Sequence, residues 1–290
     1  MAKQIVLAET MGYCWGVRRT LGIIQQASGL DRPVATIGDV IHNPQTVERL
    51  RVGGVATAGS IDEAAMRGFE RVAITAHGAG PERANEAKRR GLEMIDTTCP
   101  LVTKVQRLGQ KLVREGYFLI VYGDALHPEV RGILGWAGTS RAIATKHVHD
   151  LPWRAARGDD TFPDESQPPR KLAIISQTTK SVAEFMAFAQ KVVALAAGKG
   201  GEVRICNTIC QPTADRQNAL HRLAEEVDAI MVVGGRKSSN TTRLAEVGRS
   251  YGIPSYHIER ADEIDDDWLR DIERVGITAG ASTPDDVIIS

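Results

Sequence analysis

Cysteine is scarce, with four in 290 residues. That is too few to staple a disulfide scaffold, so in a reducing compartment metal binding or catalysis competes with inert buried thiols. No stretch approaches the roughly 18 consecutive apolar residues that a membrane-spanning helix needs. The opening run Met-Ala-Lys-Gln-Ile-Val-Leu-Ala-Glu is too short for a secretory h-region and leads into a strand pattern, which points to the cytoplasm. Excess charge is also missing. Lys plus Arg number 36 and Asp plus Glu number 36, a formal net charge of zero. Bulk electrostatic attraction to nucleic acid or an anionic membrane is thereby disfavoured, although a small basic pocket is not. Glycine-rich phosphate motifs are lacking: there is no G-x-x-x-x-G-K-[ST], and no G-x-G-x-x-G after the first strand. Nucleotide-dependent chemistry has no direct support.

What is present is ordinary for a globular protein: 42% hydrophobic and 25% charged residues, enough apolar surface for a sizeable core. Short apolar runs, read as strands, cover 5–8, 34–37, 72–76, 93–95, 118–122, 141–145, 172–176, 203–206, 229–233, 255–258 and 275–279. Helical patterns fall between most of them, for example over 17–27, 81–90, 101–114, 182–197, 213–226 and 241–251. The alternation predicts βαβ units with mostly parallel sheets. Eleven strands are more than one common doubly wound sheet needs, so several small α/β domains are expected. Residues 154–170 break the pattern with prolines and acids, and read as an exposed insertion.

Three segments resemble one another weakly, each a short strand, a cysteine and a helix with an early basic residue. They carry Cys14 with Arg18, Cys99 with Lys104, and Cys210 with Arg216. The spacing suggests three related lobes, each presenting one cysteine at a strand-to-helix corner. Helix N-termini favour thiolate, the form that binds metal; the competing reading is three unrelated buried thiols. Cys206 falls inside a strand run and reads as a core residue. A second set stands where strands end: His77, His127 and Glu129, Thr178 and Thr179, the Ser238-Ser239-Asn240 run, and Ser282. His42 lies in a loop. Parallel sheets bind ligands at their carboxyl edges, and imidazole, hydroxyl, amide and helix-start N–H groups can hold a phosphate. Ser, Thr and Asn before a helix are, equally, common N-caps. His147, His149, His221 and His257 show no such placement and read as structural or surface residues.

The motifs Gly12-Tyr-Cys-Trp-Gly-Val, Ile41-His-Asn-Pro, Ala76-His-Gly, Asp96-Thr-Thr-Cys-Pro-Leu-Val-Thr-Lys, His127-Pro-Glu-Val, Ser176-Gln-Thr-Thr, Thr208-Ile-Cys, Asp215-Arg-Gln, Ser238-Ser-Asn and Thr278-Ala-Gly-Ala-Ser, in this order, resemble those of the 4-hydroxy-3-methylbut-2-enyl diphosphate reductase (IspH/LytB) family. The resemblance covers about residues 5–288. Trp15, the Arg18-Arg19 pair, the Pro212-Thr-Ala run and the 154–170 insertion depart from the family pattern, and none touches a matched functional residue.

The resemblance implies an iron–sulfur oxidoreductase of the last step of the non-mevalonate (MEP) isoprenoid pathway. It would reduce (E)-4-hydroxy-3-methylbut-2-enyl diphosphate to isopentenyl and dimethylallyl diphosphate with loss of water. The implied fold is a trefoil of three small α/β domains, with mostly parallel sheets around a central cluster. The corresponding boundaries are 15–98; 99–206 with the 154–170 insertion; 207–282 with the N-terminal strand 1–14; and a tail, 283–290. The implied cofactor is a [4Fe-4S] cluster on Cys14, Cys99 and Cys210, with [3Fe-4S] as its oxygen-damaged form. Its open iron binds the allylic oxygen. His42, His77, His127, Ser238, Ser239, Asn240 and Ser282 are implied as diphosphate ligands, with partly protonated histidines. Glu129 supplies a proton, assisted by Thr178 or Thr179. The implied partners are the allylic diphosphate and an electron donor such as ferredoxin or flavodoxin, with no nucleic acid and no membrane. A non-catalytic iron–sulfur carrier or sensor explains the cysteines but not the His/Ser/Asn/Glu set. A metal-independent sugar-phosphate enzyme leaves the cysteines idle.

Overall fold

Runs such as Phe118–Tyr122 and Ala229–Val233 are continuous apolar stretches rather than alternating ones, the signature of strands covered on both faces. The computed structural model, which describes residues 4–29, 32–153, 169–196 and 201–289, places all such runs in parallel sheets. These residues form two compact units. One comprises Met1–Ala76, Glu86–Cys99 and Cys210–Ser290, the other His77–Asn85 and Pro100–Ile209.

The first unit holds two four-stranded sheets. In one, β2 (Val34–Ile37) and β4 (Arg71–Ile74) are central, flanked by β3 (Ala56–Ala58) and β5 (Glu93–Asp96), in the order β3-β2-β4-β5. In the other, β10 (Ala229–Val233) and β12 (Arg274–Ala279) are central, flanked by β11 (Ser255–Ile258) and β1 (Gln4–Leu7), in the order β1-β12-β10-β11. The second unit holds one sheet with the order β7-β6-β8-β9, from β6 (Phe118–Tyr122), β7 (Ala142–Thr145), β8 (Lys171–Ser176) and β9 (Glu202–Ile205). Every strand pair is parallel.

Sheet order reveals a repeat that the chain's linear pattern only hinted at. Each sheet is built from a central strand, a flank, a second central strand and an opposite flank: β2-β3-β4-β5, β6-β7-β8-β9, and β10-β11-β12 followed by β1. The third set borrows its fourth strand from the N-terminus. In the first two sets the central strands send their connections in opposite directions, which creates the switch point where open α/β sheets bind ligands; in the third, β10 connects outward to β11 while β12 is the last strand and pairs with β1. Each fourth strand lies at a sheet edge and runs on to Cys99, Cys210 or Cys14.

The central strands carry the cores. Leu119, Ile120 and Val121 of β6, and Leu172, Ala173, Ile174 and Ile175 of β8, are buried. Helix α1 (Trp15–Ser28) buries Val17, Thr20, Leu21, Ile24 and Ala27 on one face, the i, i+3, i+4, i+7 spacing of a helix lying on a sheet. Strand β3 has no counterpart among the apolar runs, because Ala-Thr-Ala has only three residues and one β-branched side chain. Residues 154–168 of the expected insertion lie outside the described residues. Among the described residues, no helix is long and apolar enough to cross a membrane.

Candidate active site

Three helices of the chain start beside cysteines. Cys14 is the N-cap of α1, its Sγ accepting the Val17 N–H at 3.5 Å. Cys99 immediately precedes α5 (Pro100–Arg114). Cys210 is the N-cap of α8 (Gln211–Ala224), and its Sγ lies 3.1 Å from Thr213 Oγ1. All three are half-buried and outside any disulfide.

The Cys14 and Cys99 corners of the first unit are tied together through α1. Thr20 Oγ1 donates to the Thr97 carbonyl at 2.8 Å, and Arg19 Nη1 to the Thr98 carbonyl at 3.4 Å. A methyl group added at Gly16 would stand 2.7 Å from Cys99 Sγ and 3.8 Å from Cys14 Sγ. Both sulfurs therefore border the same spot, and only glycine leaves it open. Two converging thiols beside a glycine-cleared space form a donor set of the kind that holds iron–sulfur clusters. Cys206 sits elsewhere, half-buried beyond β9 and packed on the core around Leu119 and Ile175.

The first unit also gathers hydroxyls and amides beyond the carboxyl ends of β10 and β12. The loop after β10 reaches α9 (Ser239–Ser250) through Gly234 and Gly235. Gly234 has φ +144°, and a side chain there would strike Thr283 Oγ1 at 2.4 Å. A side chain at Gly235 would meet the His42 carbonyl oxygen at 2.3 Å. That close approach brings the His42 loop against Ser282, whose Oγ lies 3.4 Å from both the His42 carbonyl and Ser238 Oγ. Ser238 is the N-cap of α9, accepting from the Thr241 N–H. Asn240 Oδ1 accepts the Ala281 N–H at 2.8 Å, while its Nδ2 is buried with no hydrogen-bond partner among the described residues. Such an orphan donor in a native site calls for an acceptor. Ser239 is half-buried at the first position of α9.

His42 itself is followed by Asn43, the N-cap of α2 (Pro44–Val52), whose Oδ1 accepts from the Thr46 N–H and hydroxyl at 2.8 and 2.7 Å. Burial lowers the His42 pKa, with Asp39 acting against this and Lys237 with it. Desolvation thus works against the expected partial protonation of His42.

In the second unit, the loops after β6 and β8 meet at that sheet's switch point. His127 is the N-cap of α6 (Pro128–Ala137), and its Nδ1 accepts the Glu129 N–H at 3.2 Å. In neutral His127 the proton therefore sits on Nε2. The His77 ring lies edge-on to that of His127, centroids 5.3 Å apart. The loop after His77 is seated on α6: Trp136 Nε1 donates to the Ala79 carbonyl at 2.9 Å, and a side chain at Gly132 would crowd Ala79 at 3.3 Å.

Glu129 is 2% exposed. Its Oε1 accepts the Thr178 N–H at 2.7 Å, and its Oε2 the Thr178 hydroxyl at 2.9 Å. Burial drives the carboxyl pKa up to about 7, against the opposing pull of the Thr178 N–H, the Thr178 hydroxyl and Lys180. Of the two candidate threonines, Thr178 grips the carboxyl, whereas the Thr179 hydroxyl accepts from Gln177 Nε2 at 3.3 Å. Gln177 Oε1 also accepts the Asp124 N–H at 3.2 Å, tying the two loops together. Asn43, Gln177 and Gly235 were not assigned roles from sequence, although the first two stand inside quoted motifs.

Gly235 offers a direct check of the first unit's loop packing. Gly235→Ala is expected to cost about 1–3 kcal/mol by overpacking, because the obstacle is backbone, not a flexible side chain. A thermal unfolding midpoint equal to that of the parent protein would show that the His42 loop yields freely.

Comparison with known proteins supplies the remaining finding. A family model described as LytB protein matches residues 5–290. A 4-hydroxy-3-methylbut-2-enyl diphosphate reductase of Dehalococcoides mccartyi (strain CBDB1) is 38% identical over 286 residues, covering 98% of this chain and 95% of the relative. The structure of the E-1-hydroxy-2-methyl-but-2-enyl-4-diphosphate reductase from Plasmodium falciparum matches with a TM-score of 0.86 at 25% identity, covering 100% of this chain and 86% of that one. A solved (E)-4-hydroxy-3-methyl-but-2-enyl diphosphate reductase, described as the terminal enzyme of the non-mevalonate pathway, matches with a TM-score of 0.68 at 35% identity, covering 100% of this chain and 97% of that one.

Proposed function

The chain belongs to the LytB protein family, and from that premise we propose that it reduces (E)-4-hydroxy-3-methylbut-2-enyl diphosphate to isopentenyl and dimethylallyl diphosphate. The observation that carries the reading is the placement of a cysteine corner after the fourth strand of every four-stranded set. In this reading Cys14, Cys99 and Cys210 hold the cluster. Three thiolates on a four-iron cluster leave one metal position open, and the bound cluster supplies electrons and a Lewis-acidic iron.

The protein's own groups then have separable tasks. The reaction breaks one C–O bond, consumes two electrons and two protons, and releases water. One proton must reach the departing hydroxyl oxygen and one must reach carbon. Glu129 is the donor to oxygen: with a pKa of about 7 it holds its proton near neutrality and can still give it up. Thr178 orients it. Its N–H fixes Oε1, and its hydroxyl can rotate between donating to the carboxylate and accepting from the acid.

The diphosphate is assigned to His42, His77, His127, Ser238, Ser239, Asn240 and Ser282. The buried Asn240 Nδ2 supplies a donor awaiting an anionic oxygen. Burial lowers the His42 pKa, which favours its use as a hydrogen-bond donor over its use as a counter-charge. Electrons arrive from a ferredoxin- or flavodoxin-type carrier.

The test is an anaerobic absorption and Mössbauer spectrum of the purified protein before and after adding the hydroxymethylbutenyl diphosphate. A brown protein with one iron signal that moves on substrate addition, and that turns over with a chemical reductant, is the expected result. A protein still colourless after anaerobic reconstitution overturns the reading.

A further inference from the structure

The three cysteine-bearing segments share an early helical basic residue, and the structure separates the three cations sharply. Arg18 is exposed and paired with Asp285 at 2.9 Å. Lys104 is exposed on α5. Arg216 is 4% exposed. Its Nη1 donates to the Pro212 carbonyl in its own helix at 2.8 Å, and its Nη2 to the Gly12 carbonyl at 2.6 Å. Gly12, at φ +72°, makes the turn that delivers Cys14. One guanidinium thus joins the turn before Cys14 to the helix that Cys210 caps.

The charge balance at this position is unusual. Among the described residues, no carboxylate lies within ion-pair distance of Arg216, and its buried Nε has no hydrogen-bond partner. Burial pulls its pKa below the ordinary guanidinium value. Cys14, Cys210 and Asp215 act the other way, and Arg18 acts with burial. Asp215 is half-buried and its carboxylate accepts from Gln211 Nε2 at 2.7 Å. A buried cation without a carboxylate is costly unless another anion neighbours it. The groups that can serve are the half-buried thiols of Cys14 and Cys210, at the two corners that Arg216 joins, with the half-buried Asp215 carboxylate beside them.

We propose that Arg216 is a positioning residue and the buried counter-charge of the cysteine corners, fixing the Gly12 turn to α8 and raising the reduction potential of the cluster these thiolates hold. The inference rests on the cluster assignment made under Proposed function. A positive charge beside a redox centre favours its electron-rich form, and outer groups of this kind tune metal sites without ligating them. One electron added to the cluster increases its negative charge, and Arg216 offsets that increase. The reductant in the test is dithionite.

The experiment is a mediated redox titration of anaerobically reconstituted wild type, R216M, R216Q and R216K, read by the EPR signal of the reduced cluster, with circular dichroism as a check on folding. At the wild-type midpoint, R216M and R216Q are expected to be reduced about tenfold less than wild type, expressed as the reduced-to-oxidised ratio. R216K, which keeps the charge but not the fork, is expected to stay within about twofold of wild type. Loss of the cluster from the neutral variants with retention in R216K supports the same conclusion. R216K failing as R216M does, in folding, cluster content or midpoint, overturns the counter-charge, as does an unchanged midpoint in R216M. A wild-type protein that holds no cluster instead overturns the functional reading, and its spectrum is taken first.

Discussion

Glu129→Gln is expected to lower turnover by about 10²–10⁴, the usual cost of losing a general acid, while leaving the cluster and substrate affinity in place. The substitution keeps shape and most hydrogen bonding. A glutamine Oε1 can still accept the Thr178 N–H that now lies 2.7 Å from the carboxyl. Its amide can donate to the Thr178 hydroxyl, which can act as acceptor as well as donor. What disappears is the transferable proton. Stopped-flow or steady-state turnover with a chemical reductant, alongside iron content, measures the effect; wild-type turnover would remove Glu129 from the mechanism.

The pH dependence gives a second view of the same carboxyl. With a folded pKa near 7, Glu129 is an acid below neutrality, so kcat/KM should fall as pH rises above about 7. Its stability effect runs in the same direction. A raised carboxyl pKa means that the unfolded chain ionises first. The contribution to folding is therefore fully present below about 4.5, falls as pH rises, and is lost above 7. The whole swing is about 3 kcal/mol. Glu129→Gln cannot ionise, so between pH 5 and 8 its thermal midpoint should drop less than the wild-type one. Parallel pH curves for the two proteins would show that burial does not hold the carboxyl neutral.

Much of this arrangement was legible in the linear pattern, for reasons tied to particular residues. The central strands announced themselves because burial on both faces demands unbroken apolar runs such as Phe118–Tyr122. Strand β3 gave no such signal, since Ala56, Thr57 and Ala58 are too few and too small. The cysteine corners were visible as a local recurrence. Their common place, after the fourth strand of each set, needed sheet order, because β1 joins the last set from the far end of the chain.

Residue identity also underdetermined environment. Arg18, Lys104 and Arg216 looked equivalent in sequence, yet only Arg216 is buried. His42 read as a partly charged phosphate ligand, and its burial pulls the other way, lowering its pKa. The choice between Thr178 and Thr179 turned on a contact 49 residues distant in sequence, between Thr178 and Glu129. Local pattern carries no information about such a pairing.

Cys210→Ser is expected to abolish or degrade the cluster, and Cys206→Ser to retain it. The comparison is informative because neither change should undo the fold. Cys210 caps α8 without a side-chain hydrogen bond to that helix's backbone, and serine is among the best N-cap residues. Helix α8 should therefore start as well or better in the variant, and a loss of iron reports on ligation alone. Cys206 is half-buried against the core around Leu119 and Ile175. Its backbone N–H, which donates to the Ile174 carbonyl at 2.9 Å, is untouched by the substitution. Exchanging sulfur for oxygen there costs packing and some desolvation, about 1 kcal/mol for a hydroxyl that solvent can partly reach. Iron and sulfide content after anaerobic reconstitution should thus separate the two variants, with turnover following cluster content in each. A colourless Cys206→Ser protein beside a brown, active Cys210→Ser protein would transfer the third ligand to Cys206 and leave the α8 corner without a role in holding iron.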